Sequence, residues 1–121
     1  MKTRILIVDD EIEIGKLISS FLAKYDFEVL VADNAETALD IFDKERVDLM
    51  ILDKKMPGMG SIALLEELER REIKIPVIVL TGSHDVPEME NAIKNRGYTN
   101  FMYKPADLYA LLDNVKNVLY G

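Results

Sequence analysis

The chain has 121 residues, 49% hydrophobic and 31% charged, with a formal net charge of −7 and no cysteine. That length suits one domain over 1–121 with a core of its own, and the missing cysteines exclude a disulfide framework, a thiolate zinc site and thiol catalysis. The acidic balance argues against direct nucleic-acid binding, which needs a basic face.

Apolar runs fall far short of the roughly 20 residues that cross a bilayer, so no membrane span is expected. A strand begins within a few residues of the N-terminus, leaving no room for a signal peptide. A cytoplasmic protein is the expectation. If the chain is the whole protein, output is expected to pass through a partner.

Strand-like and helix-like patterns alternate along the chain. Ile5-Leu6-Ile7-Val8 reads as a first strand. Ile14, Leu17, Ile18, Phe21 and Leu22 then follow the spacing of one helix face. Glu28 to Ala32 reads as a second strand, and Asp33 or Asn34 as the N-cap of a helix carrying Ala35, Ala38, Leu39 and Phe42. Val47 to Leu52 reads as a third strand, apolar on both sides as a buried parallel strand should be.

Pro57-Gly58 and Gly60 mark a loop before a helix with Ile62, Leu65 and Leu68, which frays into Glu69-Arg70-Arg71-Glu72. Pro76 opens the fourth strand, and Pro87 suits the first turn of a fourth helix that stops before Gly97. Phe101 to Tyr103 form a short fifth strand. Asp107 caps a last helix with Leu108, Leu111, Leu112, Val115, Val118 and Leu119 on its face.

Five βα units predict an α/β fold, a three-layer α/β/α sandwich around a parallel sheet. Right-handed crossovers favour the flavodoxin-like strand order 2-1-3-4-5, with five helices. Four strands end in polar residues: Asp9-Asp10, Asp53, Thr81 and Lys104-Pro105. In a parallel sheet these ends share one edge, the edge where ligands bind.

Three carboxylates crowded there repel one another. Two unit charges about 4 Å apart cost roughly 4 kcal/mol at an effective dielectric near 20. A divalent ion relieves that conflict, and an all-oxygen ligand set points to Mg²⁺, with Mn²⁺ as substitute. A carboxylate beside such an ion and a fixed ammonium suits phosphoryl transfer. Asp53 is then the nucleophile, and Asp10 a direct metal ligand. Asp9 binds the ion directly or through water, Thr81 donates its hydroxyl to a phosphoryl oxygen, and Lys104 supplies positive charge.

At these residues the chain resembles the receiver domain of two-component response regulators. The matching pieces are Ile7-Val8-Asp9-Asp10-Glu11, Leu52-Asp53-Lys54-Lys55-Met56-Pro57-Gly58-Met59, Leu80-Thr81-Gly82 and Lys104-Pro105. The resemblance implies a stand-alone phosphoacceptor, not an enzyme acting on a separate substrate. A histidine kinase or histidine phosphotransfer domain would donate the phosphoryl group to Asp53. It also implies Mg²⁺ on Asp10, Asp53 and the backbone carbonyl of Lys55, and a cis Lys104–Pro105 bond. Phosphorylation would draw Thr81 inward, with Phe101 following. The face of fourth helix, fifth strand and fifth helix would then change its preference for a downstream protein target.

The chain departs from the family pattern at three places. Gly60-Ser61 stands where Asp-Gly is usual, Ala106 where a large apolar residue is common, and Phe101 where tyrosine is frequent. Without a hydroxyl, Phe101 is expected to rest inward before phosphorylation, because burying the ring is worth roughly 1.5–3 kcal/mol. Lys55 is read either as a solvated lysine or as a shield that lengthens the life of the aspartyl-phosphate. Ser83 lies two residues beyond Thr81, and His84 reads as an ordinary loop residue. Ile12, at the start of the first helix beside Gly15-Lys16, is the candidate docking residue for the phosphodonor.

Other readings fit less well. A phosphohydrolase of the haloacid dehalogenase type needs Asp-x-Asp, but Glu11 holds the second site. A P-loop is absent. A flavodoxin-like electron carrier needs a phosphate-cradling loop after the first strand, where Asp9-Asp10 would repel the phosphate. Within the receiver reading, a phosphorelay intermediate and a chemotaxis-type regulator remain as alternatives.

Overall fold

In a computed structural model of the chain, residues 2–54, 60–82 and 87–121 are described. The elements run β1 (Arg4–Val8), α1 (Ile12–Ala23), β2 (Glu28–Ala32), α2 (Ala35–Lys44), β3 (Leu49–Asp53), α3 (Gly60–Arg70), β4 (Val77–Thr81), α4 (Pro87–Asn95), β5 (Phe101–Tyr103) and α5 (Leu108–Tyr120). All strand pairs are parallel, in the order β2-β1-β3-β4-β5. The expected strand order and layering are therefore observed. No described helix is long and apolar enough to cross a membrane.

Alternation along the strands divides the core in two. Leu6, Val8, Met50, Leu52, Val77 and Val79 face the layer of α2, α3 and α4. Ile5, Ile7, Leu49, Ile51, Ile78 and Leu80 face α1 and α5. Burial on both sides explains why these strands are apolar without a polar face. It also pins the register, because a one-residue slip would exchange every side chain between the layers.

One strand boundary and one helix face differ from expectation. The third strand starts at Leu49, not at Val47. The Asp48 carboxylate accepts the Arg4 amide at 2.8 Å, and the Asp48 amide donates to the Arg4 carbonyl at 2.8 Å. A side chain thus fills the place of a ladder carbonyl, and the strand begins after it. Val47 is still buried in the core. On α1, Leu17 is exposed and Gly15 is buried with Ile18 and Leu22. A Cβ at position 15 would sit 2.9 Å from Val31 Cγ1, so α1 lies too close to β2 for a side chain there.

The charged end of α3 is paired instead of frayed. Arg71 reaches Glu67 at 3.0 Å and Asp43 of α2 at 2.8 Å, while Arg96 bridges Glu66 and Glu69. Hydrogen bonds from Arg70 and Arg71 lower the Glu67 pKa to about 2. At the other end, Gly60 opens the helix at φ 83°, a left-handed value that suits glycine. Ser61 is buried and its hydroxyl donates to the Lys54 carbonyl, tying α3 to the end of β3. Asn34 caps α2 through Thr37 N, and Asp107 caps α5 through the amides of Tyr109 and Ala110. Lys104–Pro105 is cis, and Ala106 packs against the α1/α5 side of the core.

The close approach of α1 to β2 gives a direct test. Gly15→Val should lower stability by about 1–3 kcal/mol through overpacking, read as an earlier urea midpoint. An unchanged midpoint would mean that α1 is free to move off β2.

Candidate functional site

Register brings the polar strand ends together. Val8 pairs with Leu52, so Asp9 follows on β1 beside Asp53 at the end of β3. Asp53 pairs with Leu80, which places Thr81 one step further along β4. Thr81 in turn pairs with Tyr103 on β5, and the Lys104 amide donates to the Thr81 carbonyl at 2.8 Å. Four segments separated by tens of residues thus deliver their side chains to one corner of the sheet.

Asp9, Asp10 and Asp53 each place a carboxylate oxygen within 4.8 Å of the others. Their burial differs sharply. Asp9 and Asp53 are almost wholly enclosed, whereas Asp10 is exposed. Asp9 Oδ1 accepts the Glu11 amide at 2.9 Å, and the Asp9 amide donates to the Ala32 carbonyl at 3.0 Å. Asp9 Oδ2 is buried without a hydrogen-bond partner among the described residues. A buried, unsatisfied carboxylate oxygen costs free energy unless a cation or donor meets it.

The Lys104 ammonium is the counter-charge. Its Nζ lies 3.0 Å from Asp53 Oδ2, 3.7 Å from Asp9 Oδ2 and 3.8 Å from Glu11 Oε1. Burial pulls the Lys104 pKa down, but the hydrogen bond and charge of Asp53, then the charges of Asp9 and Glu11, push it up further. The group therefore titrates above the ordinary lysine range and is charged at neutral pH. Thr81 is buried at the end of β4, with its hydroxyl 3.5 Å from the Gly82 carbonyl.

Phe101 is half-buried against the α2/α3/α4 side of the core, and Lys94 Nζ of α4 lies 5.3 Å from its ring centroid. Ile12 is 46% exposed at the first position of α1, beside the acidic corner. Lys55, the loop Met56-Pro57-Gly58-Met59, Ser83 and His84 lie outside the described residues. Asp9, Asp10, Asp53 and Lys104 are thus brought together at the corner, and Thr81 stands at the adjoining end of β4.

Two residues at this corner escape a reading of the sequence. Glu11 shares Lys104 with the aspartates, although as a charged residue opening a helix it reads as a solvated side chain. Lys54 is 1% exposed, the largest fully buried side chain among the described residues. A lysine just past a strand end carries no local signal of burial.

The profile of the response regulator receiver domain matches residues 5–116. Sporulation initiation phosphotransferase F of Bacillus subtilis (strain 168) is 35% identical over 119 residues, covering 98% of this chain and 95% of that protein. The probable transcriptional regulator ycf27 of Cyanophora paradoxa is 34% identical over 118 residues, and there the chain spans about half of the relative, 48% of its length. A CheY-like response regulator receiver domain protein from Methanospirillum hungatei JF-1 superposes with a TM-score of 0.90 at 29% identity, over 98% of this chain and 94% of that one. A family match over nearly the whole chain, on a sheet whose strand ends gather the acidic corner, establishes that the chain belongs to the response regulator receiver domain family.

Proposed function

We propose that Asp53 accepts a phosphoryl group from the phosphohistidine of a histidine kinase or histidine phosphotransfer domain in the cytoplasm. The observation that carries this reading is a buried carboxylate within 3.0 Å of a lysine ammonium, beside two further carboxylates. A purely structural site has little reason to gather three like charges.

The donor set fits a hard divalent cation. Its atoms are all carboxylate oxygens, and Asp9 Oδ2 is buried and unsatisfied among the described residues. Asp10 and Asp53 would hold Mg²⁺, or Mn²⁺ in its place, with Asp9 acting directly or through water and the Lys55 carbonyl completing the set. When bound, the ion supplies positive charge against the phosphoryl oxygens.

The chain's own groups do the rest. An Asp53 carboxylate oxygen attacks phosphorus, the new P–O bond forms as the P–N bond to histidine breaks, and imidazole leaves with the electron pair. Lys104 exchanges its hydrogen bond to Asp53 for one to a phosphoryl oxygen. Thr81 donates its hydroxyl to another, and its inward movement makes room for Phe101. The half-buried ring supports an inward resting position before any phosphoryl group arrives. The face of α4, β5 and α5 then alters its affinity for a downstream protein. A shift of a few kcal/mol between two conformations suffices for that. Likeness to a phosphotransferase along nearly the full length of both chains favours onward relay of the phosphoryl group.

Incubation with acetyl phosphate and Mg²⁺ should add one phosphoryl mass to the native chain, and EDTA or Asp53→Asn should abolish it. Persistence of that mass in Asp53→Asn would remove Asp53 as the acceptor. Ile12→Ala should slow transfer from a phosphohistidine protein about tenfold, through lost apolar contact, while leaving the acetyl phosphate rate unchanged. Equal slowing with both donors would refute a docking role. Contacts from the Phe101 ring to core methyls should be detectable by NMR with and without beryllofluoride. An outward, disordered ring in both states would count against the inward bias.

A further inference from the structure

Lys104 has a third partner that the phosphoacceptor reading leaves without a role. Glu11 Oε1 lies 3.8 Å from Lys104 Nζ, an ion pair too long for a hydrogen bond. The Glu11 side chain is 60% exposed, against 1% for Asp9 and 4% for Asp53. Glu11 is also the N-cap residue of α1, yet its side chain makes no capping hydrogen bond. Its amide is held by Asp9 Oδ1. The backbone is therefore fastened to the pocket, and the free carboxylate sits within ion-pair distance of the pocket's ammonium instead of capping the helix amides. With Asp10 also exposed, the mouth of the pocket is acidic at its rim as well as its floor.

We propose that Glu11 is a positioning residue for Lys104 whose charge sorts phosphoryl donors. It disfavours free small dianions and favours a donor protein that brings a cationic side chain to the N-terminus of α1. The inference rests on Asp53 being the phosphoryl acceptor. An approaching phosphoryl group needs the Lys104 ammonium, and Glu11 competes for that ammonium. Glu11 also repels the dianion directly, because both lie at the same mouth. A cationic side chain docked against Glu11 would cancel the repulsion and release Lys104 inward. Exposed Ile12, the next residue along, would supply the apolar part of the same contact.

The test compares native protein, Glu11→Gln and Glu11→Asp with acetyl phosphate and Mg²⁺, following phosphorylation by intact mass. Glu11→Gln should react about three- to tenfold faster at low salt, and the gain should shrink as salt screens the rim charge. Glu11→Asp, which keeps the charge, should stay near the native rate. In the unphosphorylated protein, the Lys104 Cε–Hε NMR signal should shift in Glu11→Gln and return toward its native position in Glu11→Asp. A native rate with a Glu11→Gln variant that is no faster, or a gain indifferent to salt, overturns donor sorting. An unmoved Lys104 signal overturns the positioning role. Absence of phosphorylation in every folded variant would instead bring down the phosphoacceptor reading, and this inference with it.

Discussion

Three carboxylates converge on one corner of the sheet because the strand register leaves them no alternative. Val8 beside Leu52 and Asp53 beside Leu80 fix where Asp9, Asp53 and Thr81 fall. The register is held by apolar side chains packed on both faces, so the charges cannot separate without dismantling the core. Lys104 at the end of β5 offsets part of the repulsion, and a divalent cation would offset more. The stable sheet thus carries an electrostatically unfavourable site, and that residual repulsion suits the corner to cations.

Depth separates residues of the same chemical type into different tasks. Asp9 and Asp53 lie at the floor, where low dielectric strengthens each interaction, while Asp10 and Glu11 stand at the rim in solvent. Lys104 spans the two levels, with its side chain 21% exposed. Any change in its position is therefore felt both at Asp53 and at the solvent-exposed rim. Neighbouring Lys54 is buried, and its carbonyl accepts the Ser61 hydroxyl. Ser61 thus anchors the start of α3.

The corner is also joined to a distant face. Thr81 pairs with Tyr103, and β5 carries Phe101 toward α4, where Lys94 lies over the ring. On the other side, Asn100 and Asn114 exchange reciprocal amide hydrogen bonds at 2.7 and 2.8 Å, coupling the entry of β5 to α5. A short strand of three residues between two helices is a mechanically sensible connection. It has few ladder bonds to resist a small displacement, and both neighbouring helices touch it.

Element order, layering and strand order were legible in the chain because each rests on local signals. Short unbroken apolar runs mark the strands, helical spacing marks the helices, and crossover handedness selects the topology. The polar residues ending Ile5–Val8, Leu49–Leu52, Val77–Leu80 and Phe101–Tyr103 were legible for the same reason, since any parallel sheet must gather them at one edge. Tertiary structure alone decided the rest. Gly15 displaces Leu17 from the buried face because β2 approaches α1 so closely. Asp48 delays β3 because it answers Arg4, 44 residues away. Burial of Lys54 and the sharing of Lys104 by Glu11 depend on distances between segments remote in the chain, and no pattern within a single segment encodes such distances.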